Sequence, residues 1–255
     1  MEAKISIHRP SKQLLNSESL FGYYLAGLID GDGHISKIGH IVISFNKRDL
    51  KDAYWLRTKI GFGKVREVKY KNAVNLIISN KTGVSYISKI IHNKLKHPTR
   101  IEQYNSRLWN VKTSTDTTIN WESPWFAGFC DADGHLRIHT LYRQHRKRDE
   151  VRLLCQIDQK SDILLKQFKF KFGGYLGYRS KQDTFYYSTV SYKGMFLLLK
   201  YLDKYSLQQS QSYLRYTILR KSYLIIEKKE HLLDKGFSQI KKYQETLLLL
   251  TKGVE

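Results

Sequence analysis

Polar and apolar positions follow one succession along this chain, and the succession occurs twice. An apolar helix begins near Leu20, where Ser17 or Ser19 can cap it, and a second apolar helix leads up to Asp133. After the first, residues 41–45 alternate as a half-buried strand does; after the second, residues 151–157 do the same. There Val151, Leu153, Cys155 and Ile157 share one face and Arg152, Gln156 and Asp158 the other. A helical stretch then ends at Gly61-Phe62-Gly63 in the first half and near Gly173-Gly174 in the second. Strand pairs follow at 64–70 with 73–79 and at 175–180 with 184–190, and amphipathic helical runs close the pattern at 84–93 and 195–204. Each half thus reads helix, two strands, helix, two strands, helix.

The segments outside this pattern set the domain boundaries. Residues 1–19 read as an N-terminal arm, and the polar, pattern-free stretch 113–121 as a linker, leaving halves at 20–112 and 122–255. Residues 211–250 hold two long amphipathic segments broken at Asp234-Lys235-Gly236, expected to buttress the outside of the second sheet. The second half also carries an insertion at about 141–149, containing Arg143, Arg146, Lys147 and Arg148.

The repeat is most explicit at the helix ends. Leu25-Ala26-Gly27-Leu28-Ile29-Asp30-Gly31-Asp32-Gly33-His34 aligns with Phe126-Ala127-Gly128-Phe129-Cys130-Asp131-Ala132-Asp133-Gly134-His135. Acids, final glycine and histidine coincide, while the apolar positions merely stay apolar. One copy alone would read as a buried helix with a polar end, but a core helix does not need to keep aspartate at both places twice. Gly27 with Gly31, and Gly128 with Ala132, lie on one helical face and permit close helix approach. If the copies pack together, Asp32 and Asp133 meet at two helix C-termini, where the helix dipoles already place negative charge. Such a pair calls for a proton or a hard cation, which carboxylates and unpaired last-turn carbonyls can ligate. Asp30 and Asp131 point elsewhere on the helix and are expected to serve helix-end hydrogen bonds.

Charge narrows the partner. Forty-four Lys and Arg against twenty-three Asp and Glu give a formal charge of +21 and a chain rich enough in apolar residues, at 41%, to build real cores. The basic residues are spread along the whole length, which favours a polyanion with salt-dependent binding. No apolar run approaches the ~20 residues of a membrane span, and no signal peptide is read. Cys130 and Cys155 sit among apolar residues as reduced core positions, and no Cys/His spacing suggests zinc.

On the doubled motif, LAGLIDGDG and FAGFCDADG, the chain resembles the LAGLIDADG homing endonucleases of the single-chain, two-motif type, departing by Gly31 in the first copy and in the apolar half of the second. The resemblance implies an α+β fold of two pseudo-twofold-related αββαββα halves, each with a four-stranded antiparallel DNA-binding sheet, joined by the packed motif helices. It also implies a monomeric, site-specific endonuclease that hydrolyses double-stranded DNA at a long asymmetric target, using Mg2+ or Mn2+, with Ca2+ supporting binding without cleavage. Asp32 and Asp133, assisted by the backbone carbonyls of Gly31 and Ala132, are the expected metal ligands. Asn46 and Gln159 match positions that orient the attacking water, and Lys96 matches the basic residue of the pocket, where its partner is Gln208. The sheet and insertion residues expected to contact DNA are His40, Ser44, Lys64 and Arg66 in the first half, and in the second Arg137, His139, Arg143, Arg146, Lys147, Arg148, Arg152, Gln156, Asp158, Arg179 and Lys181. His34 and His135 are expected to make groove or phosphate contacts. The family implies an intron-encoded mitochondrial protein; an RNA maturase assisting group I intron splicing, with intron RNA as partner, and a non-catalytic nucleic-acid-binding protein are the rival readings.

Overall fold

The computed structural model describes residues 4–13, 15–108, 112–145 and 149–252, and they form two compact units. The first runs from Lys12 to Asp133 and takes in Tyr205–Ser210; the second holds the stretch up to Ser11, Gly134–Lys204 and the chain from Gln211. The N-terminal arm therefore divides between the units at Ser11 and Lys12.

In the first unit, α1 (Glu18–Asp32) starts at Ser17, whose hydroxyl accepts the Leu20 N–H at 3.1 Å. The first strand, β1 (Gly33–Ile35), turns into β2 (Ile41–Asn46) through a loop in which Gly39 takes a positive φ of 79°. Next, α2 (Leu50–Ile60) stops at Gly61, whose left-handed φ of 81° lets its N–H return to the Arg57 carbonyl at 2.9 Å. Two further strands, β3 (Lys64–Glu67) and β4 (Ala73–Ile78), complete an antiparallel sheet of order β1-β2-β4-β3. Ile41, Ile43, Phe45, Val74, Leu76 and Ile78 turn one face of it into core. On the other face Ser44, Asn75 and Arg66 stand in one row across the strands.

Beyond the sheet come α3 (Lys81–Ile91) and a helix absent from the sequence reading, α4 (Pro98–Arg107). Its polar sequence hides it, because only Ile101 and Tyr104 are buried, yet Pro98 at its first turn pre-sets the backbone for helix. The unit's last helix, α5 (Trp125–Asp133), packs along α1.

The second unit repeats the sheet. Strands β5 (His135–Leu141) and β6 (Glu150–Gln159), helix α6 (Ile163–Phe172), and strands β7 (Tyr175–Arg179) and β8 (Thr184–Thr189) give the order β5-β6-β8-β7. Leu153, Cys155 and Ile157 are buried while Arg152, Gln156 and Asp158 take the opposite face, as the alternation requires. The insertion lengthens the leading hairpin: β5 and β6 have 7 and 10 residues, against 3 and 6 in β1 and β2. Helices α7 (Tyr192–Lys204), α8 (Ser210–Glu227) and α9 (Asp234–Lys252) follow. The break between the long helices falls at 228–233, and Asp234-Lys235-Gly236 form the first turn of α9 instead of the interruption. That helix packs against β5, where the Thr140 hydroxyl donates to Gln244 Oε1 at 3.0 Å. The N-terminal segment is tied down by Arg220, which donates to the Ser6 carbonyl at 2.7 Å while ion-paired with Asp203 at 2.9 Å. Among the described residues no helix is long and apolar enough to cross a membrane.

Candidate active site

The site grows out of the contact between α1 and α5. A Cβ added at Gly27 would lie 1.9 Å from the Trp125 carbonyl oxygen, and one at Gly128 would lie 2.0 Å from that of Tyr24. The two helix backbones touch, and glycine is the residue that allows it. One turn further on, a Cβ at Gly31 would stand 2.4 Å from the Ala132 Cβ and 3.1 Å from Asp133 Oδ2. The second acids of both motifs are thereby brought together at the helix ends. Burial, and then the charge of Asp133, push the Asp32 carboxyl up to about 8, against 3.8 ordinarily. A crowded pair of this kind is stabilised by a proton or a cation.

The first acids do something different, and they do it reciprocally. Asp30 Oδ2, on α1, accepts the indole N–H of Trp125 on α5 at 2.9 Å and the backbone N–H of Lys96 at 2.7 Å. Asp131 Oδ2, on α5, accepts the Tyr24 hydroxyl of α1 at 2.8 Å and the backbone N–H groups of Gln208 and Gln209 at 2.6 and 3.2 Å. Each acid pins the opposite helix and the chain that opens α4 or α8. They do serve helix ends, but those of the following helices. Burial outweighs the donated hydrogen bonds and leaves both carboxyls at about 7.

Lys96 and Gln208, expected beside the acids, meet them through the backbone. The two are equivalent, since each gives its backbone N–H to a first-position aspartate, but their side chains go elsewhere. The Lys96 ammonium lies 3.1 Å from the Asp116 carbonyl and 3.4 Å from its carboxylate. The Gln208 amide donates to the carbonyls of Ser206 at 2.8 Å and Gln13 at 3.2 Å. Both side chains are buried, and each is paired there because a buried polar head without a partner would be costly. Arg100, in the first turn of α4, brings positive charge near the acids. Its guanidinium lies in the field of Asp30, Asp133 and Asp32 and donates to the Ile29 carbonyl at 3.3 Å. The sequence likeness of the two halves ends at Lys96 and does not reach Arg100; His97-Pro98, a helix opening, is the signal in the chain that points to it.

Other expected site residues are placed as follows. Asn46 ends β2, exposed, and its side-chain oxygen caps the Arg48 N–H at 3.1 Å; nearby Asp49 adds to the upward shift of Asp32. Gln159 ends β6. Ser44, Lys64 and Arg66 stand on the outer face of the first sheet; Arg137, His139, Arg152, Gln156, Asp158 and Arg179 stand on that of the second, with Lys181 exposed in the β7–β8 turn. His40 is the exception, lining a cleft with Tyr86, Lys89 and Arg107, because the tight 36–40 turn carries it off the sheet. Arg143 and Arg152 both bind Glu150, at 3.0 and 2.8 Å, and hold its carboxyl down at about 2. Arg146, Lys147 and Arg148 lie outside the described residues. His34, His135 and His139 all have lowered pKa values, chiefly through burial and also through neighbouring arginines, so they offer neutral hydrogen-bonding rings.

A cation at the acids must be held by few protein groups, since among the described residues no three His, Cys, Asp or Glu side chains cluster as ligands. Two carboxylates with adjacent carbonyls suit Mg2+, which keeps much of its own water and shares substrate oxygens.

A sequence profile of the LAGLIDADG endonuclease family matches residues 126–223. A Schizosaccharomyces pombe relative, an uncharacterized cox1 intron-2 37.2 kDa protein, is 39% identical over 249 residues, covering 94% of this chain and 76% of its own. The intron-encoded RNA maturase bI4 of Saccharomyces cerevisiae is 22% identical over 83% of this chain, which spans 34% of that protein. The intron-encoded DNA endonuclease aI3 of the same yeast is 28% identical over 55% of this chain, which spans 41% of it. Among solved structures, I-SmaMI bound to an uncleaved DNA target in the presence of calcium ions is similar at a TM-score of 0.69 and 18% identity, covering 88% of this chain and 97% of that one. That likeness is one of fold.

Proposed function

We propose that this chain, which belongs to the LAGLIDADG endonuclease family, is an intron-encoded, site-specific endonuclease that hydrolyses both strands of a long, asymmetric DNA target as a monomer. The observation that carries the proposal is the convergence of Asp32 and Asp133 at the ends of two helices in backbone contact, with the Asp32 carboxyl raised to about 8. Two half-buried carboxyls are held so close that one keeps its proton near neutral pH unless a cation takes its place, an arrangement a structural role does not require.

In this reading Asp32 and Asp133, with the Gly31 and Ala132 carbonyls, would hold Mg2+ or Mn2+. The cation supplies activation of water and neutralisation of charge on the scissile phosphates. Arg100 adds a fixed positive charge beside the same acids, available to a developing oxyanion. Asn46 and Gln159, at the ends of equivalent strands, would orient the attacking water. The outer faces of the two sheets, with their Ser, Asn, Gln, Lys and Arg side chains, would read base edges in the major groove. Because the halves differ at nearly every such position, they should read different half-sites. Both motifs reside on one chain, which supports action without a partner copy.

A net charge of +21 supports a polyanionic substrate. Origin in a mitochondrial intron is supported by likeness to the cox1 intron-2, bI4 and aI3 proteins. The bI4 likeness, over 83% of the chain, also favours a second reading, assistance of group I intron splicing by binding intron RNA. A cleavage selection from a duplex library in Mg2+ tests the first reading. The expected result is one enriched cleaved site, lost with Asp32→Asn or Asp133→Asn while binding in Ca2+ persists. No cleaved site, together with accelerated splicing of the host intron, would favour the maturase; binding with neither activity would favour a non-catalytic protein.

A further inference from the structure

The outer face of the second sheet carries an arrangement more constrained than a solvated polar surface. Asp158 of β6, Tyr186 of β8 and Gly177 of β7 stand in one row across the strands, and Arg179 is two residues further along β7 on the same face. A Cβ at Gly177 would lie 2.6 Å from both Cε1 and Cζ of Tyr186, so the missing side chain is the space the tyrosine ring occupies. The ring lies across β7 as a slab, and the Arg179 guanidinium stacks over it, 4.3 Å from the ring centroid. From the other side Asp158 Oδ2 holds Arg179 Nη1 at 3.0 Å, and Asp158 is itself fixed by the Gln156 amide, 3.0 Å and 3.1 Å from its two oxygens.

A half-exposed arginine ordinarily loses much rotamer freedom when it binds a flat acceptor pair. Arg179 has already lost it. Its plane is set by the tyrosine, its rotation by the carboxylate, and one Nη serves the ion pair, leaving donors at the remaining edge. The base that presents two acceptors to such a fork in the major groove is guanine, through O6 and N7. Arg66, on the equivalent strand β3 of the first sheet, has no aromatic or carboxylate partner of this kind among the described residues.

Resting on the endonuclease reading above, we infer that Gly177, Tyr186 and Asp158 preorganise Arg179 to read one guanine in the half-site bound by the second sheet. Arg179 is the specificity-determining contact, and the other three are positioning residues. The role of Gly177 is steric and not conformational: it makes room for the ring that sets the arginine.

The test is binding selection with the full chain in Ca2+ on random-sequence duplexes, comparing base preferences at every position. The wild type is expected to enrich a site with a guanine in one half. Arg179→Ala should lower that guanine preference about ten- to a hundredfold, the range of one good bidentate contact, and weaken affinity overall. Arg179→Lys keeps the charge, so it should retain more affinity while still losing the preference. Tyr186→Leu and Gly177→Ala should reduce the same preference with Arg179 present; an even loss at all positions, or none, would show that they do not position it. If the wild type enriches a site whose preferences survive Arg179→Ala, this inference is overturned and the endonuclease reading stands. If the wild type enriches no sequence, both fall.

Discussion

The Tyr24 hydroxyl of α1 donates to Asp131 Oδ2 of α5 at 2.8 Å, and in the same helix pair the Trp125 indole of α5 donates to Asp30 Oδ2 of α1 at 2.9 Å. The first acid of each repeat is thus held by an aromatic side chain from the other. The donors differ, a phenol in one direction and an indole in the other, but both sit on buried rings beside a buried carboxyl. This crossed pair, with the glycine contacts, fixes the register of the helices that carry Asp32 and Asp133.

Removing one donor should therefore loosen the whole site. Tyr24→Phe keeps the ring and leaves Asp131 with backbone donors only, at a cost of about 1–3 kcal/mol in unfolding free energy. Trp125→Phe should cost at least as much, because it also shrinks a fully buried side chain. Urea denaturation measures both; an unchanged midpoint in either would contradict the role assigned to the crossed bonds.

The acids make stability fall with pH in the cation-free protein. Asp30 and Asp131 at about 7 and Asp32 at about 8 hold protons in the folded state that the unfolded chain, near 3.8, has released. The folded state binds more protons, so stability is fully present below pH ~4 and is lost as pH rises through ~7 to 8. The midpoint of denaturation should decline over that window, and Asp131→Asn should flatten part of the decline. Adding Mg2+ should restore more stability at the alkaline end than at the acid end, since it competes with protons for the same oxygens.

Arg100 and Lys96 should separate cleanly in kinetics. Arg100→Ala removes the positive charge beside Asp32 and Asp133 and should slow cleavage about a hundredfold or more under single-turnover conditions. Lys96→Met removes a buried cation bound to Asp116 and should change thermal stability with far less effect on the cleavage step. The reverse pattern would restore Lys96 to the pocket.

Glycine substitutions should sort by what surrounds them. Gly27→Ala and Gly128→Ala drive a methyl into opposing backbone at about 2 Å, which no rotamer change relieves. Overpacking of that kind should cost about 3 kcal/mol or more and abolish soluble, folded protein at physiological temperature. Gly61→Ala meets nothing within 4 Å and pays only for its left-handed backbone, about 1 kcal/mol. Expression and melting of the three variants decide the matter.

Binding to a mapped target should weaken steeply with salt, by about three decades or more in affinity between 50 and 200 mM if six or more phosphates are neutralised. A shallow dependence measured by titration at several salt concentrations would mean that the basic surface is not the substrate face.

The sequence by itself determined the features that depend on local order. Alternation along 41–45 and 151–157 set which residues of β2 and β6 face the core, and the doubled acid-glycine motif set which carboxylates could meet. Small residues at 27, 31, 128 and 132 already implied close helices. The tertiary structure decided where the longer polar side chains end. Lys96 and Gln208 are equivalent in chain position, but the deciding partners, Asp116 for one and Ser206 with Gln13 for the other, are matters of packing that no spacing encodes. Arg100 reaches the acids because α4, too polar to show in the hydrophobic pattern, is held by Asp30 accepting the Lys96 N–H, by Gln103 accepting the Ile35 N–H and by the Tyr104 hydroxyl donating to the Ser88 carbonyl. Backbone periodicity fixes direction at Cβ; the rest of a long side chain settles where charge, burial and available donors balance, and that balance is set by chain segments far away in sequence.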